Sequence, residues 1–346
     1  MALKPDSYAQ IPMRHVGPVR ISGNAVTGEF KLPLATYETP LWPSVARGAI
    51  ISKLVPGGIK TTVVDDRMTR SVVLQAPDAQ GALEAAQFVA TNFDKLQDVV
   101  SQTSNFARLL NVHHQIAGDL LYLRFEYFTG DASGHNMVTL ASQNLLDWIL
   151  QAQPHLVYES ISGNLCSDKK PTSINGILGR GKNVVTEMLL PRSIVESKLR
   201  STPEKIVQLN VRKNLLGTLL AGGVRAANAH YANMLLAFFL ATGQDAANIV
   251  EGSQGITHAE VRGGDLYFSC TLPNLIVGTV GNGKNLDFVT ANLVALGCLE
   301  DRKPGENAKR LAALCAASVW CGELSLLAAQ TNPGELMQAH IRLERR

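Results

Sequence analysis

The alternation of apolar and polar positions changes character twice along this chain. Residues 16–35 carry two short β-like runs, "VGPVRIS" and "GEFKLPLA", broken by Gly and Pro. From residue 72 the pattern becomes denser. "SVVLQA" reads as a strand, and "DAQGALEAAQFVATNF" as an amphipathic helix with Asp78 near its N-terminus. "FARLLNVHHQIAG" and "LLYLRFEYFTG" read as two strands, "HNMVTLASQNLLDWILQA" as a periodic helix, and "HLVYESIS" as one more strand. The order β-α-β-β-α-β is the split ferredoxin-like pattern and predicts a small domain over 72–161. Beyond residue 190 helices are predicted at 191–200, at 213–242 with a break near Gly222–Gly223, at 285–298 and at 305–330, with strands around 256–280. The expected fold is α+β. A large, mainly helical domain (1–71 and 162–346) holds the inserted ferredoxin-like (βαββαβ) domain.

Composition narrows the class. With 346 residues, 46% of them hydrophobic, the chain can bury sizeable cores. A net charge of +3 argues against a dedicated nucleic-acid surface but leaves room for local basic pockets. The five cysteines are scattered with no CxxC pair, which speaks against a disulfide framework or a zinc site and fits a reducing cytoplasm. "MALKPDSYAQIPMRH" has no signal-peptide core. The apolar run "NMLLAFFLATG" is about half of the roughly 20 residues a membrane span needs. A cytoplasmic protein without a membrane or metal partner is expected.

Several stretches carry candidate chemistry. "FTGDASGHNM" joins a strand to a helix through small residues, which suits close approach of an anionic ligand to a helix N-terminus or a plain turn capped by Asp131. "GTVGNGKN" has the GxxxxGK spacing of a phosphate loop, but Asn285 stands where Ser or Thr would follow, so an ordinary turn stays open. His230 and Asn233 share one helix face, as ligands or as satisfied core residues. Asp245 in "GQDAAN" reads as a cap or as a site carboxylate. Glu38, in the Pro-flanked "PLATYETPLW", reads as a proton donor or as a loop glutamate. "SDKKPTS" places Lys169 and Lys170 side by side, so they point in different directions.

Taken in order, "PLATYE", "RMTR", "SNFARL", "LYLRFEYFTGDASGHNM", "SGNLCSDKKPTSINGILGRGKNVV", "LNVRKNLLGTLLAGG", "NAHYANMLLAFFLATGQDAA", "LYFSCTLPNLIVGTVGNGK", "PGENAKRLA" and "CGELSLLAA" resemble the 3-hydroxy-3-methylglutaryl-CoA (HMG-CoA) reductases, the class I branch more than class II. The resemblance implies two successive hydride transfers from NADPH, with NADH as the alternative. A thioester is reduced to an alcohol, giving mevalonate and free coenzyme A for isoprenoid biosynthesis. It also implies a homodimer or larger homo-oligomer with the active site between subunits. A reductase of a different acyl-CoA and a non-catalytic CoA-thioester-binding homologue are the alternatives.

Roles follow the matching positions. Lys169 matches the catalytic lysine, a fixed cation waiting where hydride attack places negative charge. Glu38 matches the catalytic glutamate, Asp245 the aspartate linking these groups, and His340 the histidine that protonates the departing thiolate. Substrate contacts carry over to Arg70, Ser162, Asp168, Lys170, Lys213 and Asn233, with His230 close by and Arg47 near the CoA phosphates. Cofactor contacts carry over to Ser104, Asn105, Asp131, Ser133, Gly134, Asn136, Gly281 and Gly283. The chain departs from the family's pattern in places. Ser133 and His135 replace two methionines, Asn282 and Lys284 alter the second glycine loop, and Asn105 replaces an arginine beside the NADPH 2′-phosphate.

Overall fold

The computed structural model describes residues 6–344; the side chains of 339, 340 and 342–344 lie outside that description. Nine strands are present among the described residues: β1 (Met13–Gly23), β2 (Gly28–Ala35), β3 (Ile59–Gln75), β4 (Arg108–Ala117), β5 (Leu120–Phe128), β6 (Val157–Ile161), β7 (Gly181–Leu190), β8 (Ile256–Arg262) and β9 (Asp265–Leu275). The large sheet runs β2-β1-β3-β7-β9-β8. β3 belongs to two sheets. Its residues Lys60–Arg67 pair with β7, and from Met68 onward it pairs with β5. Its end also pairs with β6. The resulting small sheet, β4-β5-β3-β6, is antiparallel throughout. That is the strand order of a ferredoxin-like unit, with helices Ala79–Thr91, Phe93–Ser101 and His135–Ala152 against it.

Each sheet has its own core. Val72, Leu74, Phe125, Tyr127, Leu145 and Ile149 fill the small one. The large one surrounds the helix Glu306–Gln330, whose Trp320 is fully buried and donates from Nε1 to the Phe268 carbonyl at 3.1 Å. By length and composition that helix could cross a bilayer, but 94% of its apolar window is buried inside the protein. It reads as a core helix.

Helix Leu41–Leu54 and β7 are among the elements that escape the sequence pattern. Helix Leu41–Leu54 begins after Pro40 and holds Pro43 in its first turn, where the missing N–H has no intrahelical partner to lose. β7 was masked by its charges. Lys182 on that strand is buried and pairs with Asp66 at 3.2 Å. The helix expected over 213–242 is split more widely than one glycine break. A helical run ends at Leu220, Gly222 turns with φ +71°, and the next helix is Tyr231–Ala241. The stretch expected as a helix at 191–200 is one short turn followed by a π-helical segment, Val195–Leu199.

Candidate active site

The "SDKK" loop sits where the two sheets meet. Asn164, Ser167 and Lys169 adopt left-handed φ values of 56°, 52° and 55°. Each such non-glycine residue costs about 1–2 kcal/mol, so the surroundings must hold the loop in place. Cys166 is anchored through its N–H to Ser71 Oγ at 3.1 Å, and Asn175 Nδ2 donates to the Ser167 carbonyl at 3.0 Å. Ser162 Oγ lies 3.2 Å from Cys166 Sγ.

Lys169 Nζ meets Asp245 Oδ2 at 2.7 Å, with both side chains a little over 40% exposed. The hydrogen bond to Asp245 raises the lysine's pKa against a smaller effect of burial. Burial pushes the Asp245 carboxyl up, but the Lys169 hydrogen bond and the Ala247 N–H outweigh it and hold it below its ordinary value. Both groups therefore stay charged near neutrality. Asp168 accepts from Arg180 Nη2 at 2.6 Å and lies 3.9 Å from Arg70 Nη1. Arg70 Nε is buried with no hydrogen-bond partner among the described residues. Lys170 is exposed and donates from Nζ to the Asp168 carbonyl at 3.1 Å. The two lysines thus point apart.

His135, which the sequence singled out only as a replacement, belongs to this cluster. It opens the helix His135–Ala152, and its Nε2 lies 3.8 Å from Asp168 Oδ1. Burial is the main cause that lowers its pKa to about 4. Arg180 and Lys169 lower it too, opposed by Asp168 and Asp245. The imidazole is neutral at pH 7. Arg180 and Glu251, both fully buried, were also missed. Arg180 spans Asp168, Thr69 and Glu251, and Glu251 accepts the backbone N–H of Lys169 at 3.2 Å.

The two glycine-rich loops touch. The Thr279 N–H donates to the Asp131 carbonyl at 2.8 Å, and Ala132 bridges Val280. A Cβ on Gly278 would stand 2.3 Å from Ser133 N, so only glycine permits this approach. Gly134 has φ +94°, and a Cβ there would strike Thr129. Gly281 and Gly283 are also left-handed. Asn136 is exposed on the first helical turn, as is Asn105 on its loop, and Ser104 Oγ accepts the N–H groups of Phe106 and Ala107. The Asp131 carboxylate is engaged elsewhere. It accepts the N–H groups of Gly305 at 3.0 Å and Ala308 at 2.8 Å, capping the long core helix. Lys284 Nζ contacts the Gly243 carbonyl, and burial lowers its pKa to about 8.

A second group of expected residues lies apart. Glu38, Arg47, His230 and Asn233 line a cleft of about 520 Å³, which helix Glu335–Glu344 flanks through Glu335 and Leu336. Arg47 pairs with Glu335 at 2.8 Å and donates to Ser325. The buried Glu323, another residue the sequence did not mark, accepts the N–H groups of Ala229 and His230. Lys213 feels its charge, although burial is the stronger influence and lowers the lysine's pKa. His340 falls on this helix, with its side chain outside the described residues. A more polar cavity of about 580 Å³, lined by Asp65, Asp66, Arg302 and Lys309 among others, contains none of the expected residues.

The two groups sit at opposite ends of helix Tyr231–Ala241. Asn233 is in its first turn and Asp245 follows its last, so about 12 Å of helix separates them.

Comparison with known proteins gives this geometry a chemistry. A family model described as hydroxymethylglutaryl-coenzyme A reductase matches residues 6–345. The 3-hydroxy-3-methylglutaryl-coenzyme A reductase of Pyrococcus horikoshii is 49% identical, covering 92% of this chain and 78% of its own. Reductase 1 of rice (Oryza sativa subsp. japonica) is 42% identical, covering 99% of this chain and 64% of its own. A Streptococcus pneumoniae class II reductase, solved with NADPH in open conformations, superposes with a TM-score of 0.73 at 18% identity, over 94% of this chain and 86% of its own. Fold, cationic site and relatives together define an oxidoreductase. The chain belongs to the hydroxymethylglutaryl-coenzyme A reductase family.

Proposed function

We propose that this chain reduces HMG-CoA to mevalonate and free coenzyme A with two equivalents of NADPH, in the mevalonate route to isoprenoids. The observation that carries the reading is the Lys169–Asp245 pair, a charged lysine held at 2.7 Å beside Arg70 and Asp168. NADPH, when bound, supplies the hydride. The residues present fit such a group. Glycine permits the contact of the Ser133 and Gly278 loops, and His135 Nε2 is buried there without a hydrogen-bond partner among the described residues. Ser133, Gly134, Asn136, Gly281 and Gly283 would hold the cofactor, with Ser104 and Asn105 at its far end and Asp131 shaping the loop. Lys284 offers a cation to its phosphates. This assigns the cofactor mainly to residues 72–161, met by the 281–284 loop of the larger unit, and the thioester to 1–71 with 162–346.

Lys169 would stabilise the oxygen that gains negative charge, and Asp245 would keep that lysine charged and aimed. Arg70, with its unpartnered Nε, would take the substrate carboxylate with Lys170 and Lys213, while Ser162, Asp168, His230 and Asn233 contact its polar groups. Arg47 would take a CoA phosphate. Glu38 would deliver a proton to the new alcohol and His340 one to the leaving thiolate.

Within one chain Glu38, His230 and Asn233 are separated from Lys169 and Asp245 by a helix length. A symmetric homodimer can bring the two groups together across its interface, so we assign the complete site to two chains. Buried free cysteines support a reducing, cytoplasmic setting. The motifs of the chain, "SDKKPTSINGILGRGK" and "GQDAA" among them, support a class I assignment. An assay of NADPH oxidation against a panel of acyl-CoA thioesters tests the reading. HMG-CoA should be the preferred substrate; a different thioester turned over faster would move the chain to another acyl-CoA.

A further inference from the structure

The Lys169 loop is held from two sides by one buried ion pair. Arg180 and Glu251 are both fully buried, with Arg180 Nε 3.4 Å from Glu251 Oε1. Arg180 Nη1 donates to the Thr69 carbonyl at 2.8 Å and to Thr69 Oγ1 at 2.7 Å, which fixes the guanidinium to β3. Its Nη2 holds Asp168, the residue before the lysine, at 2.6 Å. Glu251 Oε1 accepts the Lys169 N–H at 3.2 Å and Asn248 Nδ2 at 3.0 Å. Asn248 and Glu251 follow Asp245 on the same short segment. The pair therefore ties both partners of the Lys169–Asp245 contact to one rigid point. Replacing a buried ion pair by apolar residues of the same volume is often neutral or stabilising, so stability alone does not account for this one. Lys169 supplies a further reason, because its left-handed backbone has to be held against its own preference.

We infer that Arg180 and Glu251 are positioning residues for the reaction. They touch no substrate but set the place and direction of the Lys169 amine. The inference rests on the role proposed for Lys169. Glu251 also adds to the charge around that amine, together with Asp245 and Asp168, while Arg180 and His135 face the same cluster.

Four proteins are compared: wild type, Lys169→Ala, Glu251→Gln and Glu251→Leu. Displacing a reacting group by about 1 Å costs roughly 100-fold in rate. Glu251→Leu should lower kcat by about that factor while KM for HMG-CoA, and NADPH affinity read by its fluorescence, change by less than about threefold. Glu251→Gln keeps an oxygen for the Lys169 N–H and should recover most of the rate. Its alkaline limb of kcat should move to lower pH, because one negative charge near the amine is gone. If the leucine variant does not fold, that limb decides, and an unmoved limb overturns the inference. An unchanged kcat in Glu251→Leu, or an equal loss of rate and of both affinities, also overturns it. An inactive wild type would instead sink the proposed function.

Discussion

At the residue scale, adjacent lysines keep different partners, Lys169 standing on a left-handed backbone. Lys169 meets Asp245, and Lys170 folds back on the Asp168 carbonyl in solvent. Lys169→Ala should abolish turnover, by at least about 100-fold, with HMG-CoA binding still measurable by calorimetry. Lys170→Ala should raise KM and leave kcat within a few-fold. His135 gives a pH signature. Its pKa falls from 6.5 to about 4 in the folded protein, so between those values the unfolded chain binds more protons. Stability therefore falls as the pH drops through that window, by up to about 1.4 kcal/mol per pH unit from this group. Denaturant titrations of His135→Met across pH 4 to 6.5 should show a shallower fall. Lys169 stands out locally in "SDKK", whereas Asp245 in "GQD" reads equally as a cap, which it also is. Asp168 and Asp245 gain roles only from the family resemblance. Arg180, Glu251 and Glu323 could not be assigned from local pattern, because each is defined by partners far along the chain. Arg180 and Glu251 are 71 positions apart. Lone acids in the apolar runs "NIVEGS" and "CGELSLLAA" are the local signs of buried charge.

At the element scale, periodicity carried the small unit well. Its strands and two main helices follow apolar alternation that no other signal contradicts, and only the extra helix Phe93–Ser101 in its first crossover went unseen. The large unit was harder to read. Prolines concealed a helix at 41–54, and buried charge concealed β7, since Lys182 and Asp66 satisfy one another only in three dimensions. The loop carrying Asp131 is also an element joint. Its carboxylate caps the helix Glu306–Gln330 from a remote part of the chain. Asp131→Ala should cost about 0.5–2 kcal/mol by denaturant unfolding, the range for a lost N-cap. It should also loosen NADPH binding, because the loop loses its tether. Asp131→Asn should recover part of both.

At the scale of the whole molecule, the proposed site is split between two ends of one helix, and the proposed second chain would close it. Mixing Glu38→Gln with Lys169→Ala, each inactive alone, should restore about a quarter of wild-type activity after subunit exchange. Half the dimers are then mixed, and each mixed dimer has one intact site of two. No recovery, from variants shown by size to be exchanging, would place both groups in the same chain's site. The central claim is a four-electron reduction, and its most direct measurement is stoichiometry. With limiting HMG-CoA, the loss of nicotinamide absorbance and the mevalonate formed are measured together. The account predicts two NADPH consumed for each mevalonate and each free thiol released, and none with Lys169→Ala. Folded dimer that oxidises no NADPH, or that stops after one equivalent, would contradict it.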